Sequence, residues 1–335
     1  MKKYLIYFLG LLTIINTAMI IFNKPKNSEV IVERNIITSV NSSLTSAFKD
    51  VDKYLVLVQS DKGIANGFIY KQKEGKVYIL TNYHAVLDST KINVLLDNFT
   101  NLEARLLAFD LVSDLAVLET QSDFKLKPLA YDINYKLKKA EYVIAAYKAQ
   151  NENFSSLNLG IVSNPLKMQG FMIDNQKYYL AISTSDIKLN SGASGSPLLN
   201  INGELVGLNF ARSDKDELYS IPLKLLEYVA NTLIDKGKTQ YDNLKLQLID
   251  VNMFSNYQKA SLALPLDQHK GLMIEKMDLD SPLINKLKTK DILLAYDNKE
   301  FEDLIDYQIF AYEYQNIKEL EVLRENERIV IKLHD

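Results

Sequence analysis

From about Ala47 onward the chain is a succession of short apolar runs separated by turn residues. KYLVLVQS (53–60), NGFIYKQKEGKVYILTN (66–82), KINVLLDN (91–98), EARLLAFD (103–110) and DLAVLET (114–120) are rich in β-branched and aromatic residues. Glycine, aspartate and asparagine cluster between them, a pattern that predicts short strands in an all-β barrel or sandwich. The pattern resumes after Lys139 with EYVIAAY, NLGIVSNPL, GFMI, KYYLAIST, SPLLN and GELVGLNFA. Asn202-Gly203 predicts a tight hairpin between the last two runs. Two β-rich blocks result, roughly 44–135 and 136–220, and no sequence repeat relates them.

The periodicity then changes. Leu223, Leu226, Val229, Leu233 and Ile234 recur at helical spacing, and Gly237 suits the C-terminal end of that helix. Beyond Tyr241 the chain mixes predicted strands (LKLQLIDV, GLMIEKM, DILLAYDN, LEVLRE, RIVIKLH) with predicted helices (SPLINKLK, FEDLIDYQIFAYEY), which suits a small α+β domain.

The N-terminus follows another rule. Lys2 and Lys3 precede an uncharged apolar stretch at 4–22, long enough as a helix to approach the ~30 Å hydrocarbon core of a bilayer. Asn23, Lys24, Pro25 and Lys26 follow it, rather than a small-residue cleavage site. Residues 1–26 are therefore expected to be an uncleaved signal anchor, with a cleaved signal peptide as the alternative, and 27–43 a polar tether. The remainder is expected outside the cytoplasm, at a membrane surface or in a periplasm, because no other long apolar run is present.

Composition narrows the chemistry. The 335 residues carry 39 Lys+Arg against 42 Asp+Glu, a net charge of −3, so no basic bias points to nucleic acid. The absence of cysteine excludes disulfides, thiolate-bound zinc and a cysteine nucleophile. No nucleotide-binding or metal-binding motif is present, and neither cofactor nor metal is expected. Imidazole chemistry has three candidates, His84, His269 and His334, of which only His84 lies in the β-rich blocks.

His84 sits in YILTNYHAVLD, at the end of a predicted strand and the start of a short helical pattern. Asp114 sits in FDLVSDLAVLE, and Ser194 in NSGASGSPLL. A serine hydroxyl needs a base to remove its proton and a third group to orient that base. His, Asp and Ser in this order across two β-blocks is one of the chain orders of a serine hydrolase triad.

Around these residues the chain resembles the HtrA (Deg) family of trypsin-fold serine proteases. Thr81-Asn82-Tyr83-His84-Ala85-Val86 is similar to the family's T-N-x-H-V, and Ser113-Asp114-Leu115-Ala116-Val117 to its T-D-L-A-[VL]. Gly192-Ala193-Ser194-Gly195-Ser196-Pro197-Leu198 is similar to its G-N-S-G-G-P-L, with Ala193 and Ser196 as departures. GFIY, GIVSN, GELVGLNFA and SIPLKLL fit in register, and the resemblance runs from about residue 60 to 335.

The resemblance implies two six-stranded barrels over 44–238, with His84 as base, Asp114 as orienting acid and Ser194 as nucleophile. It implies an oxyanion hole from the N–H groups of Gly192 and Ser194, and a substrate cleft at Leu189, Asn209, Phe210 and Ala211. Leu189 turned into the pocket would favour apolar side chains before the cut, whereas Lys188 there would favour acidic ones. Residues 241–335 resemble a PDZ domain of the permuted bacterial type, although Lys286 and Lys290 replace its usual glycines. A C-terminal peptide is then expected at Gly271, Leu272, Met273 and Ile274. Family likeness further implies misfolded or regulatory protein substrates and a homotrimer. The competing expectation is a chaperone or binding protein on the same fold, with weak or no proteolysis.

Overall fold

The computed structural model describes residues 43–334, apart from 98, 99, 151, 153, 191 and 213–216. The expected anchor (1–26), all of the tether but its last residue and Ser191 lie outside the described residues. Among the described residues no helix is long and apolar enough to cross a membrane. The chain divides into two units, Met1–Ala47 and Phe48–Asp335, and the architecture below is that of the second.

The first six strands are β1 (Leu55–Ser60), β2 (Gly63–Lys73), β3 (Lys76–Asn82), β4 (Ile92–Leu95), β5 (Asn101–Asp110) and β6 (Leu115–Gln121). They close into an antiparallel barrel in the order β1-β2-β3-β6-β5-β4. The next six are β7 (Tyr142–Tyr147), β8 (Ser156–Ile173), β9 (Gln176–Ser185), β10 (Pro197–Asn200), β11 (Leu205–Arg212) and β12 (Leu218–Pro222). They close as β10-β11-β12-β9-β8-β7, the same connectivity as the first barrel. Each barrel holds its own plug of β-branched and aliphatic side chains: Val56, Ile69, Ile79 and Leu118 in the first, Val143, Val162, Leu198 and Val206 in the second.

The runs NLGIVSNPL and GFMI, expected as separate strands, are one long strand, β8. It absorbs Pro165 by shifting register against β9 between Val162 and Lys167, since proline cannot donate to a ladder. The Asn202-Gly203 turn forms as expected, with Gly203 at φ 76° and its N–H donating to Asn200 O.

Helix α1 (Leu223–Lys236) buries Leu223, Leu225, Leu226, Val229, Ala230 and Leu233. They join the largest apolar cluster, which also takes residues from both barrels, including Phe68, Leu115 and Val117 from the first and Leu180 and Ile221 from the second. At ~1.5–3 kcal/mol for each fully buried large aliphatic side chain, this face is a main tie between the barrels. Gly237, left-handed at φ 72°, ends the helix and donates its N–H to Leu233 O.

The C-terminal region builds a six-stranded sheet from β13 (Leu246–Asp250), β14 (Leu272–Met277), β15 (Ile292–Tyr296), β16 (Lys299–Glu300), β17 (Glu319–Arg324) and β18 (Glu327–Lys332). The order is β13-β14-β15-β17-β18, and β16 pairs with β15. Two helices accompany it, α2 (Asn256–Ser261) and α3 (Leu304–Glu313). Helix α3 begins at a capping box between Asp303 and Asp306.

Two expectations are corrected here. SPLINKLK (281–288) forms successive turns, not a helix. The Ser281 hydroxyl accepts from Leu283 N–H as a helix N-cap would and donates to Leu244 O, but the pairs that follow are isolated turns, Ile284 N–H to Ser281 O and Lys286 and Leu287 N–H to Leu283 O. Residues 271–274, expected to take a peptide, are also closed to an added strand. Leu272 and Met273 already pair with Asp250 and Ile249 on one side and with Leu293 and Ile292 on the other. An inner strand has no ladder groups left for an added strand. Gly271 instead lies close against its neighbours: a Cβ there would stand 2.6 Å from Ile292 Cγ2 and 2.9 Å from Leu293 O. The sheet edge on this side belongs to β13.

Candidate active site

Strands β3 and β6 pair side by side, and Asn82 faces Leu115 at the end of that ladder. His84 follows the one strand and Asp114 precedes the other, so the pairing alone brings them together. The helical pattern expected after His84 is two consecutive turns, closed by Val86 N–H to Tyr83 O at 3.0 Å and Ser89 N–H to Val86 O at 3.2 Å. Asp114 is left-handed, at φ 52°, and its carbonyl accepts from Tyr83 N–H at 2.9 Å and from Asn82 Nδ2 at 3.2 Å.

The Asp114 carboxylate grips His84 twice. Oδ1 accepts from the His84 backbone N–H at 2.9 Å, and Oδ2 lies 2.6 Å from Nδ1. A carboxylate at Nδ1 requires the proton there, which leaves Nε2 as the basic nitrogen. The hydrogen bond to Asp114 raises the His84 pKa above its ordinary value; the attraction between the two charges adds to this, and partial burial opposes it. The imidazole remains half exposed, so its outer nitrogen is within reach of a substrate. Neither other histidine is in this region: His269 lies against Lys259, and His334 Nε2 bonds Tyr314 O.

Ser194 occupies the tight loop before β10. Within it Ala193 N–H donates to Asn190 O, Ser196 N–H to Ala193 O, and Gly195 N–H to Asn209 O. Among the described residues, the N–H groups of Gly192 and Ser194 make no hydrogen bond within the chain. Gly192 has φ 88° and Gly195 φ 80°, both in the region that favours glycine. A Cβ on Gly195 would stand 2.2 Å from Asn66 O and 2.5 Å from Thr81 Oγ1. The loop therefore lies directly against the first barrel.

Asn66, which the sequence reading passed over, makes that contact. It lies on β2, fully buried. Its backbone N–H donates to Ser194 O at 2.8 Å. Its side chain donates to Gly192 O at 2.9 Å and Lys148 O at 3.0 Å, and accepts from Lys148 N–H at 2.6 Å. Thr81 Oγ1, just before His84, donates to Asn66 O at 2.6 Å. One amide thus joins the serine loop, the second barrel and the histidine strand. Its signal was a polar asparagine at the head of an apolar strand run.

The expected cleft residues divide. Leu189 is half-buried and packs on the apolar interior of the second barrel, while Lys188 is exposed. The Asn209 side chain is turned inward: it donates to Ser196 Oγ and Pro197 O and accepts from Ser220 Oγ at 2.7 Å. Ser196, a departure from the family pattern, thereby has a partner in Asn209. Phe210 packs against Phe171 and Tyr219. The ladder with β12 shifts register between Asn209 and Ala211, so what this segment can offer a substrate is its bulged backbone.

Comparison with known proteins agrees with this arrangement. Residues 65–208 match the trypsin-like peptidase domain family. The serine protease Do-like HtrA of Bacillus subtilis is 28% identical over 285 residues, covering 82% of this chain and 64% of that protein. A probable periplasmic serine endoprotease, DegP-like, of Pseudomonas fulva is 30% identical over 280 residues, covering 81% of this chain and 55% of its own. The chain thus spans about half to two thirds of the length of most curated relatives it matches. The fold is similar to that of the HtrA-type protease AlgW crystallised with a tripeptide, at 21% identity and a TM-score of 0.61 over 86% of this chain and 95% of that one. Motif order, barrel topology and these likenesses make the chain similar to the HtrA-type serine proteases, with a trypsin-like peptidase domain over residues 65–208.

Proposed function

We propose that the protein is a serine endopeptidase that cleaves misfolded or regulatory proteins through an acyl-enzyme. The observation that carries this reading is the doubly bonded Asp114–His84 pair, whose Nδ1 contact leaves Nε2 to act as base. Ser194 Oγ attacks the scissile carbonyl as Nε2 takes its proton. The same nitrogen returns the proton to the leaving amine, and water then repeats the sequence on the acyl-enzyme. Asp114 holds the tautomer and stabilises the imidazolium. The N–H groups of Gly192 and Ser194 are the oxyanion donors; that neither has a partner among the described residues supports this, and one such donor is typically worth ~2.7–4 kcal/mol in the transition state. Half-buried Leu189 and exposed Lys188 support a preference for small or medium apolar side chains before the cut.

We read residues 241–335 as a PDZ domain that takes up C-terminal peptides, with the strand-addition edge at β13 rather than β14. The face shared by β13 and α3 is packed by Ala181, with Leu166 and Met168 beside it, so peptide capture there requires the domain to move off the second barrel. The apolar stretch at 4–22 tethers the protein to a membrane, its body outside the cytoplasm, and the family likeness supports a homotrimer. The alternative, a protease-fold chaperone with weak or no cleavage, shares all of this except turnover. The test is cleavage of an unfolded protein by the full chain and by Ser194→Ala, together with labelling by a fluorophosphonate. Cleavage and labelling lost together in the variant establish the endopeptidase; a parent chain that neither cuts nor labels leaves the chaperone reading.

A further inference from the structure

Asp110 ends β5, and the turn it opens, 110–114, closes on Asp114. Its carboxyl group is buried, 3% exposed, and four donors surround it. Two come from the turn itself: Ser113 N–H and Ser113 Oγ reach Oδ1 at 2.8 and 2.7 Å. The other two come from far along the chain. Tyr312, on α3 of the C-terminal sheet, donates its hydroxyl to Oδ1 at 2.7 Å, and Thr239, just after α1, donates to Oδ2 at 2.6 Å.

Tyr312 is itself held in place. Its ring lies between those of Tyr228 on α1 and Tyr241. Next to it on α3, the fully buried Gln308 side chain bonds Ala181 N–H, Tyr179 O and the Tyr241 hydroxyl. Helix α3 is therefore seated on β9, and from that seat it reaches into the first barrel.

We propose that Tyr312 and Thr239 are positioning residues for the catalytic acid, acting through Asp110 to hold the 110–114 turn in the shape that presents Asp114 to His84. Ser113, which shares the Asp110 carboxyl with Tyr312, is bonded directly to Asp114 in sequence. Asp114 sits at a left-handed φ of 52°, a minority conformation that aspartate tolerates better than most side chains, and the shape of the turn sets the direction of its carboxylate. Releasing the Asp110 carboxyl from outside lets the turn relax and weakens the grip on His84. The C-terminal unit is thus part of the acid–base apparatus whether or not it binds a peptide. The inference rests on the proposed roles of His84 and Asp114.

The experiment compares the full chain with Tyr312→Phe, Thr239→Val and a control, Tyr228→Phe. Tyr228 also docks α3, through Glu313, but does not touch Asp110. Two quantities are read: kinetics on a peptide substrate, and the titration of the His84 ring by NMR of histidine-labelled protein, in which only three histidines contribute. The expected result is a fall in kcat of about 5- to 20-fold with KM little changed in Tyr312→Phe, a smaller fall in Thr239→Val, and a lower His84 midpoint in both. The control keeps the parent values. Parent-like titration and kcat in both variants overturn the proposal, as does an equal loss in the control, which would mark general undocking. Should Tyr312→Phe fail to fold, Thr239→Val decides alone. A parent that cuts nothing overturns the endopeptidase reading, and the His84 titration still decides whether Tyr312 and Thr239 act on the pair.

Discussion

The turn that carries Asp114 and the loop that carries Ser194 are held in opposite ways. The acid's turn is organised around a buried carboxyl group, Asp110, which gathers four donors. The nucleophile's loop is organised around a buried amide, Asn66, which donates to its carbonyls. The difference follows from what each segment must leave available. The Asp114 turn has N–H groups to be satisfied, so an acceptor fits. On the function proposed above, the Ser194 loop keeps two N–H groups for an oxyanion, and its anchors reach C=O groups instead, those of Gly192 and Ser194. In both cases the anchor comes from outside the segment: Asn66 from the opposite barrel, and Tyr312 from a third element.

The largest effects break the comparison at its centre. Ser194→Ala is expected to lower kcat by about 10⁶-fold with the fold intact, read by peptide kinetics beside circular dichroism. Asp114→Asn is expected to cost about 10⁴-fold, because the wrong tautomer is held. The same variant sharpens the pH argument. The His84 pKa is raised by Asp114, so the acid limb of kcat/KM is expected above the ordinary histidine value of 6.5 and to fall toward it once the carboxylate is lost. The pair's contribution to stability runs the other way. It is full below 6.5 and disappears as pH rises through the raised value.

Asn66→Asp tests the amide anchor with almost no change of shape. Its carboxylate would face Gly192 O and Lys148 O, which now receive donors. We expect about 2–3 kcal/mol of destabilisation in denaturant, and a fall in kcat of at least about tenfold as the loop loses its anchor. A parent-like enzyme would show that the loop's glycines and neighbours suffice. The smallest effect is expected at Lys136, whose exposed ammonium pairs with Glu302 and Asp303 across to the C-terminal unit. Lys136→Ala should change stability by no more than about 0.5 kcal/mol and leave kcat unchanged. A large effect there would mean that any contact with the C-terminal unit matters, not the Asp110 node in particular.

Much of the site was legible because its signals are local. Strand runs, the Asn202-Gly203 hairpin, the Gly237 cap and the order His84, Asp114, Ser194 each depend on residues close in sequence. The misreadings were of another kind. SPLINKLK carries a helical pattern, yet its backbone closes only isolated turns. Gly271–Ile274 reads as a strand, which it is, but strand composition does not say whether its edges are free. Asn66 reads as one more residue of a strand run, because nothing in a strand's composition announces a carbonyl on the far barrel.

The sequence by itself determined the element types, the two β-blocks and the residues able to do acyl chemistry, since periodicity, turn chemistry and side-chain reactivity are properties of short stretches. Tertiary structure alone decided that the two blocks, without a shared sequence repeat, close with the same strand connectivity. It also decided that β14 is an inner strand, that Asn66 bonds the loop of Ser194 and that Tyr312 bonds the turn that leads to Asp114. The last two bonds join residues 126 and 202 positions apart, and a hydrogen bond depends on separation in space, on which separation in sequence has no bearing.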